Sequence, residues 1–267
     1  MKKLDNWIVK EEEDGQVIWL LLNRPDKKNA FSDNVVEELN QFLDELASNS
    51  RIRVLVVSSA LNDTFTAGAD LEIFFKAYEG DVYHEAFQIS EKVQTVFAKL
   101  ETLPVPVISA VKGICFTAGL ELSLCCDMIV AANNATFGQI ETKFGIIPGG
   151  GGTQRLTRLV GPLKAREIIY TCDIIDAEEA LRIGLVNKVV PLSNLEVTVN
   201  DICRKIIRNS KHAIMKSKDL INKAIYNNPD GFFGENQGFG EAFASGEPME
   251  RFSAFVQSRK EKKNSGE

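Results

Sequence analysis

Apolar positions along the chain fall into short runs separated by polar, glycine-bearing turns. Trp7-Ile8-Val9-Lys10 and Val17-Ile18-Trp19-Leu20-Leu21-Leu22 flank an Asp14-Gly15 turn and predict two strands of a hairpin. Ser32 is the expected N-cap of a helix with Val35, Val36, Leu39, Phe42, Leu43 and Leu46 on one face. Arg53-Val54-Leu55-Val56-Val57-Ser58 is apolar without alternation, the pattern of a strand covered on both faces. Strand, helix, strand in that order predicts a crossover unit. A helix is expected from about His84 to Leu103, stopped by Pro104. Strands are expected over Val107–Val111 and Asp127–Ala132, then a helix capped by Asp176 and a strand over Leu185–Val190. From Leu195 the pattern is helical, with breaks at Ser210 and at Asn227–Gly231.

Between these elements lie turns made of small residues. Phe65-Thr66-Ala67-Gly68-Ala69-Asp70-Leu71 follows one strand, and Gly113 with Thr117-Ala118-Gly119 follows another; each leads into a helix. The first, taken alone, also fits a plain strand-to-helix turn. The repetition places both at one edge of a sheet, where open α/β folds bind ligands. Gly149-Gly150-Gly151-Gly152 must be a loop, with Thr153 beginning a helix that ends near Gly161; the GK[ST] ending of a phosphate-binding loop is absent.

Two acidic residues stand out against this background. The helix after Thr117 is apolar all round (Leu120, Leu122, Leu124, Cys125, Cys126) and therefore expected to be buried, yet it carries Glu121 in its first turn. Glu141 follows in Phe137-Gly138-Gln139-Ile140-Glu141. Two carboxylates beside a helix N-terminus suit acid/base chemistry next to backbone N–H donors. A purely structural role, a first-turn Glu favoured by the helix dipole and a capping or ion-paired Glu141, fits the same spacing.

Composition narrows the function classes. At 267 residues, 44% hydrophobic and 25% charged, the chain is an ordinary globular protein. A formal charge of −6 argues against nucleic acid as partner. Five cysteines form no CxxC pair, and the N-terminus lacks a signal-peptide core, so a cytoplasmic location with reduced thiols is expected. No apolar stretch is long enough to span a membrane. With only His84 and His212, far apart in the sequence, a His-ligated metal site or His-based triad is not expected. The polar tail is expected to be disordered from about Lys262.

Taken in order, Asn23-Arg24-Pro25 with Asn29-Ala30, Phe65–Leu71, Gly113–Asp127, Phe137-Gly138-Gln139, the Ile147–Leu156 loop and Ala177–Pro191 resemble the enoyl-CoA hydratase/isomerase (crotonase) superfamily over nearly the full length. The resemblance implies an α/β fold: a repeated ββα spiral core over residues 1–192 holding the CoA and active sites, and a helical C-terminal region, 193–267, that covers the active site and packs homotrimers, often paired into homohexamers. It implies an acyl-CoA substrate, with coenzyme A as part of the substrate and no separate cofactor or metal. The oxyanion hole would be the backbone N–H groups of Ala69 and Ala118. Substrate and CoA contacts would come from Lys27, Lys28, Ala30, Ala67, Gly68, Ala69, Asp70, Leu71 and Gly119, with tail lysines such as Lys260 reaching a CoA phosphate.

Both glutamates are present, as in family hydratases. Glu121 would activate a water for attack at Cβ, and Glu141 would protonate Cα, giving 3-hydroxyacyl-CoA from a 2-enoyl-CoA. The alternatives are an enoyl- or dienoyl-CoA isomerase, a hydratase for a cyclic or branched acyl group, and a non-catalytic RNA-binding or scaffolding relative. The chain departs from the family in Ala118 for the usual glycine, Ile140 for a common proline, and the C-terminal region. Phe74, Phe75, Phe87 and Phe116 could line an acyl pocket, although aromatic residues on helices are more often core.

Overall fold

The computed structural model of the chain describes residues 4–226, 231–244 and 257. The hairpin forms as β1 (Trp7–Glu12) and β2 (Val17–Leu22), antiparallel. Helix α1 (Asp33–Ala47) is capped by the Ser32 side chain, which accepts from the Val35 N–H. It turns the six expected apolar residues into the core. The chain continues through β3 (Val54–Ser59), β4 (Thr64–Thr66), α2 (Leu71–Ala77), α3 (Val82–Glu101), β5 (Val107–Val111), β6 (Ile114–Phe116), α4 (Ala118–Ser123), β7 (Met128–Ala132) and β8 (Thr136–Gly138). After these come α5 (Gly152–Val160), α6 (Pro162–Thr171), β9 (Ile175–Asp176), α7 (Ala177–Arg182), β10 (Lys188–Val190) and α8 (Leu195–Ile207).

Two sheets result. The larger has the order β1-β2-β3-β5-β7-β10 and is parallel from β2 onward. Its two-sided cover explains the unbroken apolar run of β3. Leu55 and Val57 enter the main core with α1 and α3, whereas Val54 and Val56 face a second cluster that includes Leu195, Val199 and Cys203 of α8. The smaller sheet, β4-β6-β8-β9, uses strands of two or three residues, with β4, β6 and β8 mutually parallel.

The chain divides into two compact units, 1–207 and 208–267. The division falls after α8, beyond the boundary read at 192, because α8 buries its apolar side on the large sheet. In the second unit, Ser210 caps α9 (Lys211–Ile225), and α9 packs with α10 (Gly231–Ala244), where Lys216 pairs with Glu241 at 2.6 Å. The tail from Lys262, and Lys260, lie outside the described residues. Among the described residues no helix is long and apolar enough to cross a membrane.

Two differences from the sequence reading have local causes. Helix α6 was not expected; it opens with Pro162 at its first turn, where a missing N–H costs no intrahelical bond. The strand expected over Leu185–Val190 is confined to Lys188–Val190, because Leu185 and Val186 instead turn back on Ala180 through their N–H groups.

Candidate active site

Three parallel strands of the small sheet end side by side, and each hands the chain to a segment with chemistry. Ala67–Asp70 follow β4, Thr117–Glu121 follow β6, and Gln139–Glu141 follow β8. The two small-residue turns touch. A Cβ on Gly68 would clash with the Thr117 side chain, and one on Gly119 with the Thr66 side chain, so only glycine lets the turns approach this closely.

The backbone pattern leaves the Ala69 N–H in the first turn, and the first N–H groups of α4 in the second, without a backbone partner. Phe31 donates its N–H to the Gly68 carbonyl, and Phe31's carbonyl accepts from the Asp70 N–H; Ala69, lying between them in extended backbone, faces the other way. Ala118 is the first residue of α4, so its N–H has no intrahelical acceptor. Both expected oxyanion donors thus sit on the two touching turns.

Glu121 is 3% exposed, and its Oε1 accepts from the Gly150 N–H at 2.9 Å and the Gly152 N–H at 2.8 Å. Burial raises its carboxyl above the ordinary value, and those two amides and the Arg155 guanidinium offset only part of that rise. Glu141 is 6% exposed and opens a 3₁₀ turn, Glu141–Phe144. Its Oε1 accepts from Gln139 Nε2 at 2.8 Å, while its Oε2 and Gln139 Oε1 are buried without a hydrogen-bond partner among the described residues. Burial, and then the Glu121 charge, push Glu141 up to about 7. Glu121 and Gln139, the amide that holds Glu141, meet at Gly152, where a Cβ would lie 3.0 Å from Glu121 Oε1 and 2.8 Å from Gln139 Nε2. With two amide donors, Glu121 takes the negative charge first, and that charge keeps the proton on Glu141. The pair is thus unlike, with Glu121 the member its surroundings favour as the charged one and Glu141 the member they favour as the protonated one.

The remaining expected residues are placed unevenly. Ala30, Ala67, Gly68 and Asp70 cluster with the first turn, where Ala67 donates to the Lys28 carbonyl. Asp70 is committed structurally: its carboxylate pairs with Arg24 at 2.8 Å and caps α2. Lys27 and Lys28 are exposed, Lys27 pairing with Glu72 at 2.7 Å, and Leu71 is exposed on α2. Phe75 and Phe87 are 69% and 54% exposed, so neither is core in this chain, whereas Phe74 and Phe116 are half-buried.

Sequence reasoning assigned no role to four features. Gln139 orients Glu141, and its position two residues upstream in a buried segment was the available signal. The amides of the glycine run hold Glu121, a contact invisible without the fold. Arg24 Nη1 also donates to the Ala30 carbonyl at 2.8 Å, tying the 24–30 loop to the first turn. Thr117 has φ 50° and ψ −119°, a region costly for a β-branched residue.

The chain was compared with known proteins. The sequence profile of the family described as enoyl-CoA hydratase/isomerase matches residues 12–264. The chain is 38% identical to the short-chain-enoyl-CoA hydratase of Clostridium acetobutylicum, over 97% of each. It is 37% identical to the crotonyl-CoA hydratase of Syntrophomonas wolfei, over 96% of each. The crystal structure of an enoyl-CoA hydratase from Bacillus anthracis superposes with a TM-score of 0.88 at 36% identity, over 95% of this chain and 97% of that one. These likenesses bear out the fold and hydratase expectations. The chain belongs to the enoyl-CoA hydratase/isomerase family.

Proposed function

We propose that the protein hydrates a short-chain 2-enoyl-CoA, crotonyl-CoA being the natural first substrate given the names its relatives carry. The observation that carries this reading is the unlike pair of carboxyls: Glu121 doubly bonded by amides, Glu141 held protonated up to about 7 with one oxygen free of partners. The N–H groups of Ala69 and Ala118 hold the thioester oxygen as charge develops on it. Glu121 takes a proton from water as its oxygen bonds to C3. The double-bond electrons move toward the thioester, and Glu141 delivers its proton to C2, so the net addition is one water. Glu141's proton comes from its Oε2, since Oε1 already accepts from Gln139.

The reaction needs only an acid, a base and an electrophilic alkene, so no cofactor beyond the substrate's own coenzyme A is required. Lys27 and Lys28 sit on an exposed loop continuous with the Ala67–Asp70 turn, a position suited to the CoA nucleotide. A homotrimer or homohexamer in the cytoplasm, serving fatty-acid β-oxidation, is the setting consistent with this reading.

The test is loss of enoyl-thioester absorbance on mixing with crotonyl-CoA. Wild type should act rapidly, and Glu121→Gln and Glu141→Gln should each lower the rate by about 10²–10⁴. A Glu121→Gln variant that still moved a double bond at full rate would favour an isomerase and overturn the hydratase reading.

A further inference from the structure

The glycine loop that holds Glu121 is itself held from the far side, by α3. In a trans peptide the C=O and the next N–H point in opposite directions. The carbonyl of Gly149 and the N–H of Gly150 belong to one such plane. That carbonyl accepts from Ser90 Oγ at 2.7 Å and from Gln94 Nε2 at 2.8 Å, and the same plane's N–H donates to Glu121 Oε1 at 2.9 Å. Gln94 Nε2 also reaches Ser90 Oγ at 3.2 Å, so the two side chains act together. The next carbonyl, Gly150's, accepts from Arg155 Nη1 at 3.0 Å. Arg155 is fixed by Glu101, the last residue of α3, through Nη2 at 2.8 Å and Nε at 3.3 Å, with both side chains mostly buried.

The geometry points to Ser90 and Gln94, supported by the Glu101–Arg155 pair, as positioning residues that aim the Gly150 amide at Glu121 through the 149–150 peptide plane. None of them reaches the reacting atoms. Both residues of that plane are glycines, so little in the backbone itself resists its rotation. Rotation would turn the Gly149 carbonyl toward the carboxylate, replacing an attractive N–H by a repulsive oxygen. Glu121 would then hold its proton to higher pH and fail as a base. The other titratable groups facing Glu121 are Glu141 from the 3₁₀ turn and Arg155 from α5, with Glu101 behind Arg155 and the Cys125 thiol just past the end of α4. The substitutions below leave all of them in place.

This inference rests on Glu121 being the base, so the experiment reads the two separately. In Ser90→Ala/Gln94→Ala, crotonyl-CoA hydration at pH 7 is expected to fall about tenfold, with KM within about twofold. The acid limb of the rate profile should move up by about 0.5–1 pH unit. Ser90→Thr, which keeps the hydroxyl, should retain most of the rate. In the absence of substrate, the infrared titration of the Glu121 carboxyl, isolated by subtraction of Glu121→Gln, should shift upward in the double variant. An unchanged titration, or a rate loss accompanied only by a lower melting temperature, overturns the positioning role. A Glu121→Gln enzyme that hydrates at the wild-type rate instead overturns the base assignment on which it rests.

Discussion

Glu141 offers a prediction in which stability and activity move in opposite directions. Its carboxyl is raised from the ordinary 4.5 to about 7, by burial first and by the Glu121 charge second. Because the folded state binds this proton more tightly than the unfolded chain does, Glu141's favourable contribution is fully present below about pH 4.5 and is lost as pH rises through about 7. At about 1.36 kcal/mol per pH unit, that interval corresponds to about 3 kcal/mol, a full-strength figure because the side chain is buried. Glu141→Gln keeps the shape and has no proton to lose. Relative to wild type it should therefore gain about 2.5 kcal/mol between pH 5 and pH 8, or about 5–10 °C in melting temperature at about 2–4 °C per kcal/mol. It should at the same time be nearly inactive. The assay is calorimetric melting of both proteins at pH 5 and pH 8, at equal protein concentration because self-association would shift both curves. Parallel pH dependence in the two proteins would refute the assignment of a raised, buried acid at Glu141.

Two further predictions address the walls of the site. Gly152→Ala introduces a Cβ within 3.0 Å of Glu121 Oε1 and 2.8 Å of Gln139 Nε2, at a position whose backbone accepts alanine. Hydration should fall about 10²-fold with a melting temperature near wild type, and steady-state kinetics that stayed within twofold would show that the pair tolerates displacement. Thr117→Gly should relieve about 1–3 kcal/mol of backbone strain against about 0.5–1 kcal/mol of extra chain entropy. A higher guanidinium midpoint is expected, and a lower one would show that Thr117's packing over Gly68 outweighs the strain.

The sequence by itself determined most of the elements and brought Glu121 and Glu141 forward as candidates. Unbroken apolar runs place β2 and β3, and helical apolar patterns place α1 and α3, because burying an apolar surface is a local requirement written residue by residue. Glu121 was legible for the same reason in reverse: a charge in an all-apolar helix contradicts its surroundings. The order of motifs from Asn23 to Pro191 carried the family, whose match spans residues 12–264. Tertiary structure alone decided what depends on backbone groups meeting across long separations. The two small-residue turns were read as meeting at a sheet edge, but a strand of three residues has no periodicity to read, so the separate small sheet that gathers them with Glu141 was invisible. Every residue offers the same N–H and C=O, so no letter of the sequence says that Gly150 and Gly152 turn theirs to Glu121 or that α3 holds the plane between. The raised carboxyl of Glu141 likewise exists only because folding removes it from water and sets a second carboxylate beside it.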